Sequence, residues 1–144
     1  MPKTSLPIEP IEIEPDNFHL FLTVKIGVKK ARLLLDTGAS RTAFDLHRFE
    51  NFAHRNKQDH QEINSVGLGS NEVKTHLAQI NTLKLGEIKH KGLLAAVLDL
   101  AHVNQAYELL QLPPIDGVMG SDILMQYLAT INLKKMELSL HYPA

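Results

Sequence analysis

A carboxylate stands directly after a short apolar run early in the chain. Asp36 follows Leu33-Leu34-Leu35 and precedes Thr37-Gly38-Ala39-Ser40. Placing a carboxylate against a buried strand is costly unless hydrogen bonds satisfy it. Gly38 permits a tight turn beneath the acid, and the hydroxyl groups and amides of the loop can donate those bonds. An oriented, ionised carboxylate of this kind is suited to general acid–base chemistry.

Asp-Thr-Gly also occurs as an ordinary turn sequence, in which the aspartate faces solvent. Here the three leucines before Asp36 favour a buried setting instead. The strand that carries them is predicted to be the second of a hairpin, because apolar residues recur with period two over 18–26 and a turn follows at 27–30. The hairpin therefore delivers the chain into the Asp36 loop.

Two elements flank this hairpin. The segment 8–15 alternates apolar and acidic residues, but Pro10 and Pro15 cannot donate to a ladder, so we predict an edge strand or an arm. Beyond the loop, Asp45 is a candidate helix cap. Phe44 and Phe49 would form the hydrophobic staple of a helix reaching to about residue 56.

The middle of the chain is predicted to be mostly β. Strands are expected at 63–66 and 73–80, joined by the glycine-rich tip 67–71, and again at 83–85 and 92–98. Val24-Lys-Ile-Gly27 and Leu83-Lys-Leu-Gly86 echo each other, but strings this short match by chance too easily to indicate a repeat.

The last third is predicted to contain two short helices and a hairpin. A helix over 101–110 is ended by Pro113-Pro114, and the segment 115–120 leads into a second helix over about 121–127. A hairpin over 129–141, turning at Lys134-Lys135, closes the chain.

Composition excludes several classes of function. The length of 144 residues, with 44% hydrophobic and 22% charged residues, predicts one packed domain. A net charge of −1 argues against nucleic-acid binding, and the absence of cysteine removes disulfides, thiolate metal sites and cysteine nucleophiles. No apolar stretch is long enough to span a bilayer, so we expect no membrane partner and a cytoplasmic location.

Metal and nucleotide cofactors are not indicated. His47, His54 and His60 fall close together but lack a close ligand pattern, so scattered surface histidines are expected and no metal is predicted. Neither a Gly-x-Ser-x-Gly elbow nor a phosphate-binding loop is present. We therefore expect no cofactor.

Three features occur in an ordered set that resembles a known family. They are the Leu-Leu-Leu-Asp-Thr-Gly-Ala-Ser run, the later glycine-rich hairpin, and Val118-Met119-Gly120 followed by Asp122-Ile123-Leu124. In this order the chain resembles the single-lobe, retropepsin-like aspartic proteases over roughly residues 18–142. The resemblance implies a mostly β fold, a closed acid-protease barrel with two or three short helices and one lobe per chain. It assigns 1–17 to an amino-terminal arm and 18–144 to the protease domain.

The resemblance also implies roles for individual residues. It makes Asp36, Thr37 and Gly38 catalytic. The residues that it places against a substrate are Ala39, Ser40, Gly67, Leu68, Gly69, Val118, Met119 and Gly120. In this assignment the tip 67–71 is a flap that closes over an extended peptide, although a plain surface hairpin is the alternative.

A single Asp-Thr-Gly has a consequence for assembly. Aspartic proteases use two carboxylates that share one proton, and this chain has only one such motif. Asp36 from two chains would have to meet on a two-fold axis, which implies a homodimer. By the same resemblance Thr37 would hydrogen-bond across the axis, while the arm and the strand 136–141 would interleave between chains.

The implied activity is hydrolysis of peptide bonds by an aspartic endopeptidase, with a peptide or protein as substrate. The alternative is a noncatalytic peptide-binding or dimerisation module that keeps the fold. A third possibility is self-processing, with the proline-rich arm as substrate. Two departures affect the dimer contact: viral relatives commonly carry an acid where Ser40 stands and an arginine where Ser121 stands. Arg41 either meets a substrate or interface carboxylate or is simply solvated.

Overall fold

The computed structural model describes residues 1–53, 61–66 and 72–143, with the backbone alone for 53, 61–66 and 72–75. Its strands are β1 Lys3–Pro7, β2 Glu9–Glu14, β3 Asn17–Ile26, β4 Lys29–Leu35, β5 Ala43–Asp45, β6 Gln61–Val66, β7 Glu72–Leu85, β8 Ile88–Leu98, β9 Gly117–Met119, β10 Thr130–Asn132 and β11 Glu137–His141. Its helices are α1 Glu50–Ala53, α2 Ala101–Leu109 and α3 Ser121–Gln126. The predicted mostly β class is confirmed.

Six strands close into a barrel in the order β3-β4-β9-β5-β8-β7, with β7 pairing back onto β3. The predicted hairpin forms its first two strands. Alternate residues of β3, including Leu22, Val24 and Ile26, are buried inside the barrel, as are Leu33 and Leu35 of β4. The period-two pattern of the sequence therefore selects the face that forms the core.

The short strand β9 lies between β4 and β5. It runs parallel to β4, pairing Leu34 with Val118, and antiparallel to β5, pairing Ala43 with Val118. The loop 36–42 must therefore cross over the carboxyl end of β9 to connect β4 with β5. This crossing places the Asp36 loop directly above the segment Val118-Met119-Gly120.

The predicted strands 73–80 and 83–85 are one continuous strand, β7, and the strand predicted at 92–98 begins earlier, at Ile88. The two similar strings of the sequence lie side by side, with Ile26 opposite Leu83 and each string ending in a glycine at φ +60°. The tip 67–71 lies outside the described residues. Both later helices and the closing hairpin form where the sequence predicts them.

The prediction that Asp45 caps a helix is wrong. Asp45 is the last residue of β5 and is buried, and α1 begins five residues later, at Glu50. Its carboxylate accepts a hydrogen bond from the backbone N–H of Leu100, at 2.9 Å, immediately before α2. Phe44 and Phe49 do lie near each other, with ring centroids 6.3 Å apart, inside the core. The predicted helix end near residue 56 lies outside the described residues.

The chain termini form a separate three-stranded sheet in the order β1-β11-β10. β1 pairs with β11 of the same chain over five register positions, from Lys3 opposite His141 to Pro7 opposite Glu137. The strands that were expected to interleave between chains are thus already paired within one chain. The outer edges of β1 and β10 carry no strand in the described part of the structure. Within that part, no helix has the length and apolar character needed to cross a membrane.

One half-buried histidine makes the stability of the barrel depend on pH. The Nδ1 atom of His90 contacts the hydroxyl of Tyr127, and burial lowers the pKa of His90 below its ordinary value of 6.5, with Asp122 opposing that shift. The unfolded chain therefore binds this proton more tightly than the folded chain. Stability should fall as the pH drops from about 6.5 through the lower folded pKa.

Chemical unfolding between about pH 7.5 and pH 5 tests this pH dependence. We expect His90→Gln to make the loss of unfolding free energy at acid pH smaller than in the unsubstituted chain. Tyr127→Phe keeps the aromatic ring that packs against His90. The unfolding free energy of this variant should therefore change with pH as steeply as that of the unsubstituted chain. If the unfolding free energy changed with pH equally in the unsubstituted chain and in His90→Gln, His90 would not be the cause of the pH dependence.

Candidate active site

The Asp36 carboxylate is half-buried at the end of β4, and local hydrogen bonds orient it. The backbone N–H of Asp36 donates to the carbonyl of Met119 at 3.1 Å, which ties the acid to β9. The N–H of Gly38 donates to Asp36 Oδ1 at 2.9 Å, and the N–H of Ala39 donates to the Asp36 carbonyl at 3.2 Å. The other carboxylate oxygen, Oδ2, accepts no hydrogen bond from the described residues. It can therefore act on a reacting molecule.

Two glycines allow the chain at β9 to lie close to its neighbours, Gly117 against β5 and Gly120 against the Asp36 loop. A Cβ placed on Gly120 would lie 2.7 Å from the carbonyl carbon of Arg41 and 2.8 Å from the carbonyl oxygen of Ala39. A Cβ on Gly117 would lie 2.2 Å from the carbonyl oxygen of Ala43. All three contacts are with backbone, which cannot rotate away as a side chain can. Glycine is thus required by close approach at both positions.

Asp122, for which the sequence predicts no role, anchors the far end of the loop. Its Oδ1 atom accepts hydrogen bonds from the N–H of Thr42 at 2.9 Å, the hydroxyl of Thr42 at 2.8 Å and its own helix at Ile123 N–H, at 2.9 Å. Thr42 is fully buried, and its hydroxyl oxygen accepts a hydrogen bond from Gly120 N–H at 3.1 Å. One carboxylate thereby joins the loop, β9 and α3.

Removing this anchor should destabilise the loop and the domain together. Asp122→Ala leaves two donors of Thr42 without their acceptor, and we expect a loss of about 2 kcal/mol in the free energy of unfolding. Asp122→Asn keeps one acceptor oxygen and should recover most of that loss. Denaturant unfolding of both variants measures the difference. Equal stability of Asp122→Ala and the unsubstituted chain would show that the anchor is not needed.

The other residues predicted to be catalytic or substrate-binding differ in exposure. Thr37 and Ser40 are exposed, and the Thr37 side chain makes no hydrogen bond with the described residues. Ala39 and Val118 are half-buried beside Asp36. Met119 is fully buried in the barrel core, so its side chain supports the loop from below. The predicted flap residues Gly67, Leu68 and Gly69 lie outside the described residues.

The two serines that replace the viral acid and arginine lie close to the loop. The N–H of Ser121 donates to the Ala39 carbonyl at 2.7 Å, so α3 starts against the backbone next to Ser40. Arg41 is exposed, and its guanidinium donates to the Leu94 carbonyl at 3.4 Å. It forms no ion pair with the described residues.

A second group of polar side chains lies at the start of α2. Potential ligand atoms of Asp45, His47 and Asp99 lie within 4.8 Å of one another. His47 Nε2 lies 3.0 Å from Asp99 Oδ1, and the backbone N–H of Ala101 lowers the pKa of Asp99 below its ordinary value. Because both carboxylates accept N–H groups at the start of α2, their placement is explained by the helix itself. His54 and His60 lie outside the described residues.

Comparison with known proteins agrees with this geometry. A sequence model of a family described as aspartyl protease matches residues 22–123. No curated protein sequence matches the chain at a significant level.

Three solved structures share the fold. A retropepsin-like aspartic protease from Rickettsia conorii superposes with a TM-score of 0.64 at 15% identity, covering 98% of this chain and 91% of the other. The retroviral protease-like domain of Ddi1 from Leishmania major gives a TM-score of 0.54 at 15% identity, covering 81% of this chain and 82% of the other. The EIAV protease in complex with the inhibitor HBY-793 gives a TM-score of 0.56 at 20% identity, covering 85% of this chain and 100% of the other. The predicted single-lobe, retropepsin-like barrel is confirmed.

Proposed function

The chain belongs to the aspartyl protease family, and on this premise we propose that it is an aspartic endopeptidase whose active site forms between two copies of the chain. The observation that carries the proposal is the setting of Asp36. Its carboxylate is half-buried and oriented by Gly38 N–H, and no described residue donates a hydrogen bond to its Oδ2 atom. The loop that carries it is held by β9 at one end and by Asp122 at the other. Such rigid placement of an acid is what general acid–base catalysis requires.

A second chain is needed because this chain offers no second acid of the same kind. The sequence most similar to a second Asp-Thr-Gly motif is Asp116-Gly117, but Asp116 is buried and its carboxylate already has partners within the chain. Its carboxylate pairs with Arg48 at 2.7 Å and accepts the N–H of Arg32 at 2.8 Å. Asp116 is therefore a structural acid, and the second catalytic carboxylate must come from another copy of Asp36.

The surface around the loop supports such a contact. Thr37 is exposed next to Asp36 and can hydrogen-bond across a two-fold axis. Met125 lies one helical turn after Ser121 in α3 and is 74% exposed, and Leu128, just beyond the helix, is 60% exposed. Large apolar side chains exposed beside a site are typical of an interface. We place the dimer contact here, with the edges of the terminal sheet as its extension.

The proposed reaction proceeds without a covalent intermediate. One Asp36 is ionised and takes a proton from a water molecule, while the oxygen of that water adds to the scissile carbonyl carbon. The partner's Asp36, which is protonated, donates its proton to the carbonyl oxygen, giving a gem-diol. The gem-diol then collapses: the first Asp36 gives the proton that it took from water to the amide nitrogen, the partner's Asp36 takes a proton from one hydroxyl of the gem-diol, and the C–N bond breaks. Acid and base are the same residue in two chains.

The substrate is proposed to be an extended peptide that lies over the loop. Ala39, Ser40 and Val118 are the described residues that would contact it, and the flap role of residues 67–71 stays a prediction. An extended chain can pair its backbone with exposed strand edges, and side-chain pockets would then set specificity.

Cleavage of an unstructured protein substrate tests the proposal. We expect peptide products, mapped by mass spectrometry, with a rate that peaks at acid pH, about pH 4 to 6, and falls on both sides. The peak is expected because one carboxyl must be protonated and the other ionised. If no peptide is cleaved anywhere in this range while the chain still binds peptides, the noncatalytic binding module takes the place of the enzyme.

A further inference from the structure

Four lysines form a continuous row across the outside of the barrel. Lys30 of β4 is the direct cross-strand partner of Lys25 of β3, Lys25 is the partner of Lys84 of β7, and Lys84 is the partner of Lys89 of β8. Direct partners project from the same face of a sheet. Their strand neighbours Val24, Ile26, Leu83 and Leu85 are buried, so the lysine row faces outward. We call these four residues the lysine row.

The lysine row is electrostatically unfavourable for the isolated chain. Adjacent strands lie about 4.8 Å apart, so the row carries four positive charges along about 14 Å. Like charges directly opposite each other destabilise a sheet. None of the four lysines forms an ion pair with a described residue. Glu87, in the adjoining turn, donates its backbone N–H to the Thr4 hydroxyl oxygen and pairs with none of them.

The surface at the row is concave. A cavity of about 230 Å³ is lined by Lys25, Lys30 and Lys84, together with the neighbouring Leu6, Thr23, Val24 and Gly86. Three ammonium groups and one hydroxyl can therefore reach a single small ligand from several sides. Such convergence of donors is typical of a binding site for a compact anion.

We propose that the lysine row binds a multivalent phosphate group, either of a soluble phosphate compound or of a phosphorylated lipid headgroup. Lysine binds phosphate as a point charge with three donors, whereas recognition of carboxylates favours the planar fork of arginine. An extended acidic peptide would repeat its carboxylates on one face about every 6.7 Å, which does not match a row spaced at about 4.8 Å. The net charge of −1 also argues against a long nucleic acid.

Titration calorimetry with sodium tripolyphosphate at low salt tests the soluble form. The double variant Lys25→Gln/Lys84→Gln should bind about tenfold more weakly than the unsubstituted chain, or worse. The control Lys134→Gln/Lys135→Gln removes the same charge from the exposed turn between β10 and β11 and should bind normally. Lys89→Gln, at the end of the row, should give a smaller loss.

A second arm tests the lipid form, with phosphatidylcholine vesicles that contain or lack phosphatidylinositol bisphosphate. Loss of binding in the row variant but not in the control variant supports the proposal. Binding of tripolyphosphate alone indicates a soluble phosphate compound, and binding that requires phosphatidylinositol bisphosphate in the vesicle indicates a lipid headgroup. Absence of binding in both arms, or equal losses in the row and control variants, would overturn it. Thermal unfolding in a buffer that contains no phosphate or other multivalent anion controls for folding, because the row variant should be at least as stable as the unsubstituted chain once like charges are removed.

Discussion

Asp36→Asn is expected to lower kcat/KM for cleavage of an unstructured protein by about 10³-fold or more, because it removes both the general base and the general acid of the proposed dyad. The asparagine has nearly the same shape and can still accept the Gly38 N–H through its amide oxygen. The fold and the dimer should therefore persist. Initial rates at the acid optimum, combined with unfolding curves, separate lost chemistry from lost structure.

The matched control is Asp16→Asn, in the exposed turn between β2 and β3, where a positive φ of 66° suits asparagine. This variant loses the same charge and should cleave normally. Peptide binding by Asp36→Asn should continue. If Asp36→Asn retained substantial cleavage, the reacting carboxylate would have to be another residue.

Gly120→Ala is expected to lower the free energy of unfolding by about 3 kcal/mol. The new Cβ would press against the backbone of Ala39 and Arg41 at 2.7 to 2.9 Å, and neither can move without displacing the loop. Activity per folded molecule should fall as well, because the loop that moves carries Asp36. Urea unfolding and cleavage rates measure the two effects.

Ser121→Ala is the control for this substitution. It changes the next residue of the chain but keeps the backbone N–H that donates to Ala39. Its stability should stay within about 0.5 kcal/mol of the unsubstituted chain. Similar small losses in both variants would show that the loop can adapt and that Gly120 is not needed for close approach.

The Asp36 loop could be predicted from the sequence because its determinants are local. An apolar strand, a carboxylate, a glycine and hydroxyls follow one another within eight residues, and the strand pattern shows the buried face. The two later helices, α2 and α3, were also predictable, since glycine, proline and apolar spacing mark their ends.

Asp122 and Asp45 could not be assigned in the same way because their partners are distant in sequence. Asp122 binds Thr42, 80 residues away, and Asp45 binds Leu100, 55 residues away. An aspartate before an apolar run looks like a helix cap, and only the barrel topology shows that Asp45 ends a strand. For Asp122 the available signal was its position in the first turn of a helix that follows a glycine.

The terminal strands and the lysine row depend on pairing register. The arm pairs with β11 of the same chain because the whole fold brings the two termini together. A local sequence pattern cannot distinguish this pairing from one with β11 of a partner chain. The two similar strings around Lys25 and Lys84 did carry a signal. They lie next to each other in the barrel, and that register brings the lysines together.

Mixing active and inactive chains tests most directly whether two copies of Asp36 form one site. The chain at fixed concentration is unfolded and refolded with increasing amounts of Asp36→Asn. Since mixed dimers would have only one competent carboxylate, activity should fall to about half at equal amounts and approach zero at large excess. Activity that stays constant as Asp36→Asn is added would contradict a shared site.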